Sequence, residues 1–155
     1  MTFKYLADHK ESIPVIAKWY FNQWEHTGKV NSVEEISLKL QNYLNRDKIP
    51  LMLLAVDNDE ITGVAQLKYR EMDIYPDKEH WIGGIFVPEK YRGYGVAARL
   101  IEKTKEVARS LSVSILHLQT ERLDGGLYRH LGWEPVEQIK YKGLDVLVME
   151  KHLGV

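Results

Sequence analysis

The stretch Ile85–Leu100, IFVPEKYRGYGVAARL, leaves the chain few ways to fold. Ile85-Phe86-Val87 is a short, β-leaning apolar run that stops at Pro88, which has no N–H to give a ladder. Arg92-Gly93-Tyr94-Gly95 is a tight turn with a fixed positive charge at its mouth. From Val96 the inward positions fall at Val96, Ala97, Leu100, Ile101, Thr104, Val107, Ala108 and Leu111, the rhythm of an amphipathic helix. A strand, a glycine turn and a helix start make an anion cradle. The first helical N–H groups have no partner within the helix, and its dipole favours negative charge there. Glycines at 93 and 95 can take positive φ and bring no Cβ between backbone and ligand. Arg92 adds a planar fork suited to phosphate oxygens. The pattern predicts a phosphate or pyrophosphate seated between Arg92 and Ala97. The plainer alternative is a closed surface loop with Arg92 in water.

A length of 155 residues suits one domain, 1–155, which buries about 68–70% of its unfolded surface and needs no metal or disulfide to stand. The chain has no cysteine, which removes disulfides, thiolate nucleophiles and Cys-based zinc sites together. That composition is compatible with the cytoplasm. A formal net charge of −1 argues against a general nucleic-acid binder. The opening residues, MTFKYLADHKE, read as too polar for a signal peptide, and no apolar run approaches membrane-spanning length.

In chain order, Thr2–Ala7 reads as a strand, and Asp8 with Glu11 as a helix start. Ile13, Ile16, Ala17, Tyr20 and Trp24 share one helical face, with Pro14 tolerated in the first turn. Glu25–Asn31 is a polar loop. Ser32-Val33-Glu34-Glu35 is a capping box opening a second helix through Val33, Ile36, Leu40 and Leu44. Leu51–Val56 and Ile61–Arg70 form a hairpin about Asp57–Glu60. Glu71–Glu79 is an acidic connection, and His80–Val87 is the strand entering the cradle. Ser114–Thr120 is a strand, Asp124–Leu131 a short helix ended by Gly132, and Glu134–Lys140 with Leu144–Glu150 a closing hairpin. The order β-α-α-β-β-β-α-β-α-β-β is that of a mixed α/β sandwich.

The run Val87–Ala97 resembles the pyrophosphate signature of the GNAT superfamily of acetyl-CoA-dependent N-acetyltransferases, Arg/Gln-x-x-Gly-x-Gly/Ala, with Arg92, Gly95 and Ala97 at its fixed points. Leu127-Tyr128-Arg129-His130-Leu131-Gly132-Trp133 is similar to that family's second motif, a tyrosine followed by Leu-Gly-aromatic. The resemblance runs from about Leu51 to the end. It implies a central, mostly antiparallel twisted sheet of six to seven strands flanked by about four helices. It also implies acetyl-CoA as cosubstrate, held by Ile85, Phe86 and Val87 through their main chain and by Arg92, Gly93, Tyr94, Gly95, Val96 and Ala97. A dinucleotide fingerprint, Gly93-x-Gly95-x-x-Ala98, is the weaker match, because five residues separate Val87 from Gly93 and too little chain follows for a doubly wound sheet.

Attack of an amine on a thioester needs a neutral amine, a donor for the oxyanion and a proton for the leaving thiolate. The resemblance makes Tyr128 the general acid, against the alternative that it only packs with Leu127 and Leu131. Glu79, His80 and Glu121 are candidate bases at strand ends, where charges are commonly just solvated. His117 reads as structural. His9, His26, His130 and His152 show no ligand spacing, so no metal is expected. Asp124-Gly125-Gly126 departs from the asparagine that the family often has there. Glu71, Asp73, Asp77 and Glu79 make an acidic edge that either suits a cationic substrate or only keeps a loop in water. Trp19, Tyr20, Trp24 and Tyr43 are candidates for the acceptor wall or for ordinary core. The expected partner is a small-molecule or peptide amine, and the expected state a monomer or homodimer, with no nucleic acid or membrane. A CoA-sensing or protein-binding module without chemistry is the alternative from a different class.

Overall fold

The computed structural model describes residues 1–28 and 32–154. Strands β1 (Thr2–Tyr5), β2 (Leu51–Asp57), β3 (Glu60–Tyr69), β4 (His80–Phe86), β5 (Ile115–Thr120), β6 (Glu134–Tyr141) and β7 (Leu144–His152) form one sheet in the order β1-β2-β3-β4-β5-β7-β6. Helices α1 (Ile13–Trp24), α2 (Val33–Leu40), α3 (Val96–Ser110) and α4 (Gly126–His130) flank it. Every neighbouring pair of strands is antiparallel except β4 with β5. The expected mixed sheet, its element order and its four helices are all present.

Alternation in β2 and β3 divides the core between the two faces of the sheet. Leu51, Leu53, Ala65 and Leu67 pack with Leu100, Ile101, Val107 and Ala108 of α3 on one face. Met52, Leu54 and Val64 pack with Ile13, Ile16, Tyr20, Ile36 and Leu40 of α1 and α2 on the other. A strand buried on both faces reads as the continuous apolar run Leu51–Val56.

The start of α1 differs from the sequence expectation. Asp8 and Glu11 do not open the helix; Leu6–Asp8 and Lys10–Ser12 are two separate 3-10 turns, and α1 begins at Ile13 with Pro14 in its first turn. His9, between them, has φ −142° and ψ 44°, which breaks any continuous helix. The α2 capping box does form: the Glu35 N–H donates to Ser32 Oγ at 3.0 Å. Of the expected loop Glu25–Asn31, Glu25–Thr27 is a 3-10 turn and positions 29–31 lie outside the described residues.

The acidic connection after β3 is more deeply built in than its composition suggests. Met72 is fully buried, Tyr141 donates to Asp73 Oδ1 at 3.0 Å, and Lys68 Nζ donates to Glu71 Oε1 at 2.6 Å. Glu71 therefore does not sit in water; its side chain is 14% exposed.

Candidate active site

Two features of β4 shape the site. The first is a bulge. Val64 lies opposite Phe86 and Gln66 opposite Gly83, so β4 carries one residue more than β3 across that interval. Gly84 takes φ +57° there, and a Cβ on it would stand 2.8 Å from both Gln66 Cδ and Tyr20 Oη. Tyr20, reaching down from α1, donates to the Gly84 carbonyl at 2.6 Å. Burial pushes the Tyr20 hydroxyl far above the usual tyrosine range, so it stays a neutral donor.

The second is a split. Among the described residues, β4 and β5 are in register only at Trp81 opposite His117, and beyond that pair they part. A cavity of about 460 Å³ occupies the opening. Tyr20, Trp24, Tyr43 and Lys68 line it from the α1/α2 side, Tyr128 from the α3 side, and Gly83, Gly84 and Ile85 form its β4 wall. Gln119 lines it from β5, and its buried Oε1 has no partner among the described residues.

Tyr128 is held firmly. Its helix, α4, closes with Gly132 N–H on Arg129 O at 3.1 Å and Trp133 N–H on Tyr128 O at 3.0 Å, the paired bonds of a Schellman end. The Tyr128 and Trp133 rings meet edge-on with centroids 6.1 Å apart. Burial first, and then the charge of Glu71, push the Tyr128 hydroxyl up to about 12. It is therefore protonated across the physiological range. Asp124, at the departure from the family pattern, accepts from the Gly126 N–H at 2.9 Å and pairs with Arg122 at 3.3 Å. These contacts, the Gly126 bond first, hold its carboxyl below the usual range.

The cradle lies beyond the other end of the same strand. Gly93 and Gly95 take φ +86° and +79°, conformations that favour glycine, and Gly95 is the N-cap of α3 with no side chain capping it. The first intrahelical bond is Arg99 N–H to Gly95 O at 3.1 Å, so the N–H groups of Val96, Ala97 and Ala98 precede the ladder. No acidic residue sits in that first turn. Arg92 donates from Nε to the Val87 carbonyl at 2.8 Å, with its guanidinium carbon 5.7 Å from the Phe86 ring centroid. The preceding turn, Glu89–Tyr91, is tied to the β2–β3 hairpin: Tyr91 donates its hydroxyl to Glu60, and Lys90 lies 3.7 Å from the same carboxylate. These residues fit a diphosphate: unpaired donors, a helix start and a cation stand together with no competing carboxylate in the first turn.

The three expected bases are spread out. Glu121 lines the cavity at its mouth, half-exposed and 3.8 Å from His26 Nε2. Glu79 and His80 lie 3.4 Å from each other at the start of β4 and do not line the cavity; Glu79 also pairs with Arg70 at 3.8 Å. His117 is buried at the foot of the split, 3.3 Å from Glu150. Of the four early aromatics, Tyr20, Trp24 and Tyr43 line the cavity, whereas Trp19 stacks on Phe86 at 5.7 Å. Sequence reasoning missed Lys68 and Gln66 as cavity residues and named Glu71 within an acidic edge that either suits a cationic substrate or only keeps a loop in water. Lys68 does carry a signal, because it stands on the same face of β3 as Val64 and Gln66. Among the described residues no group of three or more His, Cys, Asp or Glu could hold a metal ion.

A model of the acetyltransferase (GNAT) family matches residues 13–133, well over half of the chain, and the chain belongs to that family. It is accordingly an acetyl-group transferase with acetyl-CoA as cosubstrate. No curated protein sequence matches it. Solved structures share the fold. A ribosomal-protein-alanine N-acetyltransferase from Brucella melitensis superposes with a TM-score of 0.78 at 22% identity, over 98% of this chain and 99% of that one. The yncA protein from Salmonella typhimurium, solved with its cofactor acetyl-CoA, gives 0.73 at 18%, over 100% and 95%. An aminoglycoside 6'-N-acetyltransferase complexed with coenzyme A gives 0.73 at 14%, over 99% and 97%. At these identities the likeness is one of fold. No helix among the described residues is long and apolar enough to cross a membrane.

Proposed function

We propose that residues 1–155 act as one cytoplasmic N-acetyltransferase domain that moves acetyl from acetyl-CoA to a primary amine by direct attack in a ternary complex. The amine belongs to a small molecule or a peptide. One observation carries the reading: a backbone cradle for a diphosphate and a cavity bearing a protonated tyrosine stand at two ends of a single strand segment, Gly83–Val87.

Arg92, Gly93, Tyr94, Gly95, Val96 and Ala97 hold the pyrophosphate, chiefly through N–H groups at the α3 start. Ile85, Phe86 and Val87 carry the arm along a strand edge that β5 has left, with main-chain groups available for it. When bound, acetyl-CoA supplies the thioester. Tyr128 keeps its proton until the sulfur leaves, because burial and Glu71 hold its hydroxyl near 12. Glu121 attracts an ammonium at the cavity mouth.

CoA release on a panel of amines and peptide N-termini tests the reading. Release on at least one acceptor, lowered in Tyr128→Phe with acetyl-CoA affinity retained, is the expected result. CoA binding with no release on any acceptor would instead make the chain a sensor.

A further inference from the structure

We infer that Glu71, held in place by Lys68, is the group that takes the proton from the attacking amine. This rests on the acetyltransferase reading above and goes beyond it, since neither the motifs nor the family match points to either residue.

Three observations converge on this carboxylate. The first is position. A Cβ built on Gly83 would stand 2.8 Å from Glu71 Oε1 and 3.5 Å from Lys68 Nζ, so the pair lies directly against β4, one residue before the bulge that Tyr20 pins. The second is its surroundings. Lys68 and Glu71 both line the cavity, with side chains only 23% and 14% exposed respectively, while Glu121 is 46% exposed at the mouth and Glu79 is outside. The third is coupling to the acid. Glu71 and Tyr128 line the same cavity, and after burial the Glu71 charge is what raises the Tyr128 hydroxyl.

Lys68 supplies the carboxylate with a fixed counter-charge. Its ammonium lies 2.6 Å from Glu71 Oε1, and Glu71 Oε2 has no partner among the described residues. Burial pulls the Lys68 ammonium down, but Glu71 and Tyr43 outweigh it, so Lys68 ends above its ordinary value and remains charged. A fixed cation beside the base also disfavours a second cation, which helps the substrate nitrogen give up its proton.

The protons balance. Glu71 takes one proton from the substrate ammonium, and the freed lone pair forms the N–C bond as the thioester C–S bond breaks. Tyr128 gives its proton to the departing sulfur and recovers one from the acetylated nitrogen. Glu71 then releases its proton to water. Glu71 is the catalytic residue of this step and Lys68 a positioning residue.

The test measures kcat/KM against pH for wild type, Glu71→Gln, Glu71→Asp and Lys68→Met, on an accepted alkylamine and on hydroxylamine, with CoA protection against heat as the check on folding. The expected losses for Glu71→Gln are roughly 10²–10³-fold on the alkylamine and far less on hydroxylamine, which is already neutral at pH 7. Its acid limb should vanish, with CoA protection retained. Glu71→Asp should recover part of the rate, and Lys68→Met should move the acid limb to higher pH. A Glu71→Gln enzyme with wild-type kcat/KM and an unchanged acid limb overturns the assignment and leaves acetyl transfer intact. A wild type that binds CoA yet releases none on any amine overturns both.

Discussion

In the proposed function the cradle and the cavity hold their ligands with different parts of the polypeptide. The cradle is contiguous, Arg92–Ala98, and offers N–H groups that any sequence with its φ angles would present. The cavity is assembled from α1, α2, β3, β4, β5 and α4, and offers side chains, among them Tyr20, Tyr43, Lys68, Glu71 and Tyr128. A cradle of this kind fixes one common carrier, whereas a cavity of this kind can be rebuilt for a new acceptor without disturbing it. The two regions share β4, and changes to that strand should damage both.

The largest expected effect is therefore at the shared strand. Gly84→Val adds a Cβ where two atoms stand at 2.8 Å and φ is +57°. Strain and overpacking together should cost roughly 2–6 kcal/mol in urea unfolding, with both CoA protection and turnover lost. A Gly84→Val protein as stable as wild type would mean that the bulge is not needed. Next comes a change confined to the cavity. Tyr128→Phe should lower kcat about a hundredfold while the acetyl-CoA affinity stays put, and unchanged turnover would return Tyr128 to packing against Trp133. Wild type should show no alkaline loss from Tyr128 below about pH 11, given its raised value of about 12.

Smaller effects separate the regions further. Ser32→Ala removes the α2 cap and should cost about 1 kcal/mol. Because α2 contributes Glu35, Lys39 and Leu40 to the cavity wall, the KM for the amine should rise while that for acetyl-CoA does not. The smallest effect concerns the foot of the split. Burial and then Lys78 lower the His117 value below 6.5, against the opposing pull of Glu150 and Asp77. The unfolded chain therefore binds the proton more readily than the folded one. Stability is full above 6.5 and should fall as pH drops from there toward the lower folded value. His117→Asn should flatten that slope in urea titrations, and a slope that persists would assign it to another group.

How far the sequence exposed these regions follows from the same contrast. The cradle was legible because its parts are neighbours in the chain: Pro88, Arg92, Gly95 and the apolar rhythm from Val96. The Ser32 cap was legible for the same reason. Tyr128 was visible only through a motif, since nothing local distinguishes it from a packed aromatic. Lys68 was hidden. Glu71 was visible as part of an acidic edge that suits a cationic substrate or keeps a loop in water, but its pairing with Lys68 depends on the chain reversing after β3. The bulge at Gly84 was equally invisible, because its register is set by β3. The helix start expected at Asp8 failed because the strand-to-helix turn breaks at His9 before the helix can nucleate.

The most direct measurement is the rise in melting temperature caused by CoA, in wild type and in an Arg92→Ala, Gly95→Val double variant. Wild type should gain stability with ligand concentration, by about 2.7 kcal/mol at a hundred times the Kd, and the double variant should gain little at the same concentration. Equal protection of the two proteins, or none in wild type, would contradict a diphosphate held by the start of α3.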